Sequence, residues 1–146
     1  MKHEILIYNN TSQKISKKFI VQTVLKALQF LKLKQPAELA VLIVNGDEIK
    51  RLNKIWRKKN YTPDELSFGL NSRLPDNEEK FAKKQNKMLE LGEIVINVNK
   101  IFNKNHFATI LIHGLSHLLG YHHEKSATEA QKINQLEKRI LKNLKV

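Results

Sequence analysis

The chain has 146 residues, enough for one domain with a real core and too few to expect two. It contains no cysteine, which excludes disulfides and thiolate ligands and leaves histidine and carboxylate for any metal. Hydrophobic content of 41% and charged content of 27% suit a soluble globular protein, and a formal net charge of +12 points to a polyanionic partner.

Glu4 to Tyr8 reads as a short strand with Ile5 and Ile7 on one face, and Glu4 breaks the apolar stretch that a secretory segment needs. Thr11 or Ser12 is expected to cap a helix running to about Leu33, in which Ile20, Val24, Leu28 and Leu31 keep helical spacing. Beyond Pro36, the β-branched run Leu39 to Val44 reads as a buried strand. At six residues it is the longest apolar run, far short of a membrane span, so the expected compartment is the cytoplasm. Asn45-Gly46 marks a turn, Asp47 can cap, and Ile49, Leu52, Asn53 and Trp56 fall on a second short helix. Glu65 to Leu70 is expected to be a strand, Asn71 to Lys87 a mobile polar loop, and Glu93 to Val98 a further strand preceded by Gly92. From Phe107 to Leu119 a helix is apolar almost all round and should be buried. Ser126 to Lys145 reads as an amphipathic helix with Ile133, Leu136, Ile140 and Leu141 inward. The order βαβαββαα, with short connections, predicts an α+β fold. It would be a single domain over residues 1–146, with a small mixed sheet of about four strands and a metal site at the end of the buried helix.

Four of the six histidines fall between His113 and His123, in the run His113-Gly-Leu-Ser-His117-Leu-Leu-Gly120-Tyr-His-His123. Residues four apart on a helix lie about 5–6 Å apart at Cβ, so His113 and His117 can aim at one point. Gly120 can take the left-handed conformation that ends a helix and lets His123 come in from a turn. Three imidazoles with a vacant fourth position make a catalytic zinc site. An i,i+4 histidine pair can equally be a hydrogen-bonded core pair; Gly120 and His123 at their spacing favour the metal. Zinc proteases of the metzincin type share the spacing H-E-x-x-H-x-x-G-x-x-H. Gly114 stands where those enzymes carry their glutamate base, so the protease mechanism lacks its proton acceptor. His106 lies about 10 Å along the helix axis from His113 at 1.5 Å per residue, too far to share the ligand shell.

Only four of the 26 basic residues are arginine, so an abundance of lysine could by itself account for the charge. Lys50 to Lys59, however, holds six basic residues in ten, interleaved with Trp56 and followed by Tyr61. Cations beside aromatic platforms suit single-stranded nucleic acid, although the stretch could also be a solvated helix face.

The histidine run resembles the signature of the YbeY endoribonucleases, metal-dependent single-domain proteins of bacterial rRNA maturation. Leu52-Asn53…Arg57…Asp64-Glu-Leu-Ser-Phe68 is similar to that family's L-N-x3-R-x6-D-V-L-S-F block, and Leu91-Gly-Glu-Ile-Val-Ile96 to its L-G-D-I-V-I strand. Departures are Ser116 for leucine, His122 for aspartate, Glu93 for aspartate, and Pro63 and Glu65 for threonine and valine, with a shorter stretch between Glu93 and His113. The resemblance implies that His113, His117 and His123 hold one zinc ion and that Arg57 is catalytic. His123 is preferred to the adjacent His122 because it keeps the family spacing. A guanidinium can pair bidentately with phosphate and stabilise charge developing there, though Arg57 is also one cation among six. Asp64 reads better as a turn or cap residue than as a base.

The leading expectation is a zinc-dependent, single-strand-specific endoribonuclease in small-subunit (16S) rRNA maturation and ribosome quality control. Its partners would be rRNA and the small ribosomal subunit, with no membrane and no DNA. The alternative is a ribosome-assembly or RNA-binding factor with a structural zinc. A metal hydrolase of small phosphorylated or acylated substrates is a third possibility. Glu93, Asp64 and Glu124 are the candidate proton acceptors.

Overall fold

Strand β1 (Glu4–Asn9) is followed by helix α1 (Lys17–Phe30), which carries the chain over to β2 (Ala37–Val44), parallel to β1. Helix α2 (Gly46–Arg57) leads to β3 (Glu65–Gly69) and β4 (Leu89–Asn97). A 3-10 turn (Val98–Lys100), α3 (Lys104–Leu118) and α4 (Ala127–Leu144) complete the order. This computed structural model describes residues 2–69, 88–120 and 127–144; the expected loop 71–87 and residues His122, His123 and Glu124 lie outside them. The sheet runs β1-β2-β4-β3, with β1, β2 and β4 parallel and β3 antiparallel to β4. The predicted α+β arrangement and element order are those observed.

One face of the sheet is covered along β2 by α1 and α3, and the other is covered in part, by α2 over the Val44 end; β2 accordingly reads as a nearly unbroken apolar run. Ala37, Leu39, Val41 and Ile43 face the larger core with Ile20, Val24 and Leu28 of α1 and Leu111 and Leu115 of α3. Val44 turns to a smaller cluster with Ile49 of α2, Leu66 and Val95. Ile133 and Ile140 of α4 are fully buried, and Leu136 and Leu141 pack on the larger core as their spacing predicts. Each such Leu or Ile contributes about 1.5–3 kcal/mol by leaving water, and this packing positions α3.

Several boundaries differ from the expectation. Ser16, not Thr11 or Ser12, caps α1, its Oγ accepting from Phe19 N–H at 3.1 Å. Thr11 is engaged in a local turn: its N–H and hydroxyl donate to Asn9 Oδ1, and its Oγ1 accepts from Gln13 N–H. The helix stops at Phe30, short of Leu33, and Lys32 has a left-handed φ of 54°. Strand β4 begins at Leu89 rather than Glu93. Glu38 pairs with Glu90 and Leu39 with Gly92, so Leu91 is an extra residue in a bulge, with Gly92 at φ +125°. The bulge resets the alternation, placing Leu89, Leu91, Ile94 and Ile96 in one core. A strict period of two therefore detects only the second half of the strand.

Asp47 lies in the first turn of α2 rather than at its cap, where with Glu48 it complements the helix dipole. The cap position is Asn45, and Gly46 N–H donates to Asn99 Oδ1 at 2.7 Å. Asn97, fully buried, donates from Nδ2 to the Pro63 carbonyl and accepts on Oδ1 from Asn99 N–H, each at 3.0 Å. Asn97 N–H also donates to the Asp64 carbonyl at 2.9 Å. These two asparagines clasp the end of β4 to the start of α2 and to the segment leading into β3.

Candidate metal centre

Helix α3 lies close against the sheet at Gly114. A Cβ there would lie 2.9 Å from Ile94 Cγ2 and 3.1 Å from Glu65 Oε2, so a glycine is what admits the sheet to this distance. The space that a zinc-protease glutamate would need at this position is taken by Ile94 and by the Glu65 carboxylate. On the turns flanking Gly114, the rings of His113 and His117 meet edge to face, with centroids 4.4 Å apart and planes at 66°. Glu65 reaches the same point from β3. Leu66 and Phe68 face the α2 side, so alternation along the strand turns Glu65 towards α3. One ligand-type atom from each of Glu65, His113 and His117 lies within 4.8 Å of the others.

Glu65 Oε2 is fully buried and has no hydrogen-bond partner among the described residues. Burying an unpaired carboxylate is costly, and a cation would offset that cost. Two imidazoles and a carboxylate form a donor set used by hydrolytic zinc centres, so the residues fit such an ion. His113 Nδ1 lies 3.4 Å from Glu137 Oε1 of α4, an ion-pair contact on one side of the ring. The Glu137 carboxylate raises the His113 pKa above the usual histidine value; burial opposes this, and the charges of Glu65 and Asp64 add to it. Burial pushes the Glu65 carboxyl up to about 7; His113 and Arg57 pull it down and Asp64 pushes it further up. Gly120 closes the helix at φ +91°, its N–H donating to the His117 carbonyl at 3.0 Å.

A profile of the Endoribonuclease YbeY family matches residues 6–145. A Thermodesulfovibrio yellowstonii protein named Endoribonuclease YbeY is 38% identical over 138 residues, covering 87% of this chain and 80% of its own length. A Legionella pneumophila protein of the same name is 35% identical over 147 residues, covering 99% and 91%. The chain belongs to the YbeY family. The solution structure of TM1509 from Thermotoga maritima shares the fold, with a TM-score of 0.57 and 23% identity over 94% of this chain and 86% of that one.

In this YbeY-family chain the other sequence-predicted residues are distributed as follows. Arg57, exposed, is the last residue of α2, and its charge reaches Glu65. His123 lies outside the described residues. His106 pairs with Asp64, Nε2 to Oδ2 at 3.9 Å, and lies against Phe102 with the rings tilted by 38°. Glu93 lies on the opposite side of the sheet, in a groove with Leu52, Trp56 and Phe68, which removes it from the proton acceptors available at the histidines. Ser116, in place of the family leucine, is buried and returns its hydroxyl to the Ile112 carbonyl at 2.8 Å.

Sequence reasoning missed Glu65 and Glu137. Glu65 was visible only as a charged residue where the YbeY pattern has valine. Glu137 sits four residues after Ile133 and three before Ile140, a carboxylate on an otherwise apolar stripe, and that was the available signal.

A pH effect follows for the metal-free protein. The folded-state pKa of Glu65 is raised, so its contribution is fully present below the unfolded value and is lost as pH rises through about 7. With metal removed by chelation, stability should fall between about pH 4.5 and 7, by at most about 3 kcal/mol from this group. Denaturant unfolding of the chelated protein beside Glu65→Gln measures it. Equal slopes against pH in the two proteins would rule the effect out.

Proposed function

We propose that this chain is a zinc-dependent, single-strand-specific endoribonuclease, one domain over residues 1–146, acting in the cytoplasm in 16S rRNA maturation and ribosome quality control. The observation carrying this reading is the convergence of His113, His117 and Glu65 beside Arg57, at the end of a basic helix, in a YbeY-family chain. His123 is proposed as a third imidazole ligand. Among the described residues no helix is long and apolar enough to cross a membrane.

Zinc held there would supply Lewis-acid activation of water and of the scissile phosphodiester. The protein's own residues supply the rest. Glu137 orients His113 through Nδ1. Arg57 presents a fork of N–H donors to a phosphate and stabilises the charge that grows on it during cleavage. Trp56, 68% exposed, and Tyr61, also exposed, offer stacking surfaces to unpaired bases, while the lysines of α2 hold the backbone. Small-subunit rRNA is the proposed partner; duplex RNA and DNA are not.

The test is cleavage of single-stranded RNA by protein of measured metal content, beside duplex RNA and single-stranded DNA. Cleavage confined to single-stranded RNA is expected. Arg57→Ala should keep its metal and lose about 100-fold in rate, the scale of one transition-state donor. Protein with one equivalent of metal that leaves RNA intact across several divalent ions would overturn the reading.

The second reading, an assembly factor with a structural zinc, draws on Glu65: a carboxylate beside three histidines would fill a tetrahedron. Zinc in catalytic sites can expand to five donors, so the carboxylate is compatible with hydrolysis. Circular dichroism after chelation separates the two, since loss of fold would favour a structural ion.

A further inference from the structure

We infer that Glu65 is itself a ligand of the metal, a carboxylate donor added to the histidines in this chain; the inference rests on the metal-centre reading above. Three independent features carry it. The ligand atoms of Glu65, His113 and His117 lie within 4.8 Å of one another, a spacing that small side-chain rotations contract onto one ion. Glu65 Oε2 is fully buried without a hydrogen-bond partner among the described residues, although most buried polar atoms have one. On the facing helix, the missing Cβ of Gly114 leaves the carboxylate its place; an added Cβ would sit 3.1 Å from that oxygen.

An ordinary salt bridge accounts for the carboxylate less well. The ion-pair partner of His113 is already Glu137, at 3.4 Å on the Nδ1 side. Arg57 contributes the smallest of the charge effects felt by Glu65 and is itself exposed. What remains for Oε2 is the point on which both imidazoles converge.

The experiment compares wild type, Glu65→Val and Glu65→Gln by zinc competition with a chromophoric chelator, and by visible absorption after cobalt substitution. Wild type should bind one equivalent. Glu65→Val should bind at least about tenfold more weakly and shift the cobalt bands, because an oxygen donor has left the ion; losing a group merely outside the ligand set costs 10–100-fold. Glu65→Gln, which keeps the shape and a weaker oxygen donor, should fall between. Far-UV circular dichroism of the metal-free variants checks that the fold is retained. Unchanged affinity and cobalt spectrum in Glu65→Val would overturn the inference while leaving the nuclease reading intact. Failure of wild type to take up metal would overturn both.

Discussion

His117→Ala is expected to lower zinc affinity by more than about 100-fold and to abolish RNA cleavage while leaving the fold in place. The magnitude follows from the arrangement: removing a group that only supports a ligand already costs 10–100-fold, and His117 lies within the donor cluster itself. The fold should survive because α3 is held by Phe107, Ile110, Leu111, Leu115 and Leu118, none of which depends on the imidazole. Metal analysis, cleavage of single-stranded RNA and circular dichroism on the same preparation check the three parts together. His106→Ala is the paired control, since that ring faces Asp64 rather than the cluster, and it should retain wild-type metal content. Undiminished cleavage by His117→Ala would assign the activity to a contaminant, and undiminished metal content would place the ion elsewhere.

Gly92→Ala should lower stability by at least about 3 kcal/mol, placing it among the severe single substitutions. Two costs act together. The residue has φ +125°, which a side chain rarely tolerates, and its Cβ would lie 2.1 Å from the Phe68 carbonyl oxygen. That oxygen belongs to the backbone of β3, so relief requires the strand to move. For a domain near this size the melting temperature should drop by about 10 °C. The metal centre should loosen too, because β3 carries Glu65. A melting temperature within about 2 °C of wild type would show that the bulge adapts freely.

The buried α3 was legible because it is apolar almost all round, and the paired imidazoles because four-residue spacing has one geometric meaning. Strand β2 read correctly as an apolar run. Glu65 was harder. Its role depends on which way β3 faces and on which helix packs over it, and both are set by contacts between residues far apart in the chain. Glu137 was hidden for a related reason: a charged residue on an apolar stripe becomes informative only when its partner, here His113, is known. The start of β4 was missed because Leu91 bulges out of register and splits one strand into two phases. At α1, several hydroxyl residues competed for the cap, and Thr11 was taken by Asn9 before it could serve the helix.

The Asn97–Asn99 clasp reaches beyond its own turn. It anchors the lead-in to the strand bearing Glu65 and the first residue of the helix that ends in Arg57. Carboxylate and guanidinium therefore share a common mounting. A change that slackened that mounting would displace both groups in concert, so the proposed metal donor and the proposed phosphate-binding arginine could be retuned from behind without altering either member.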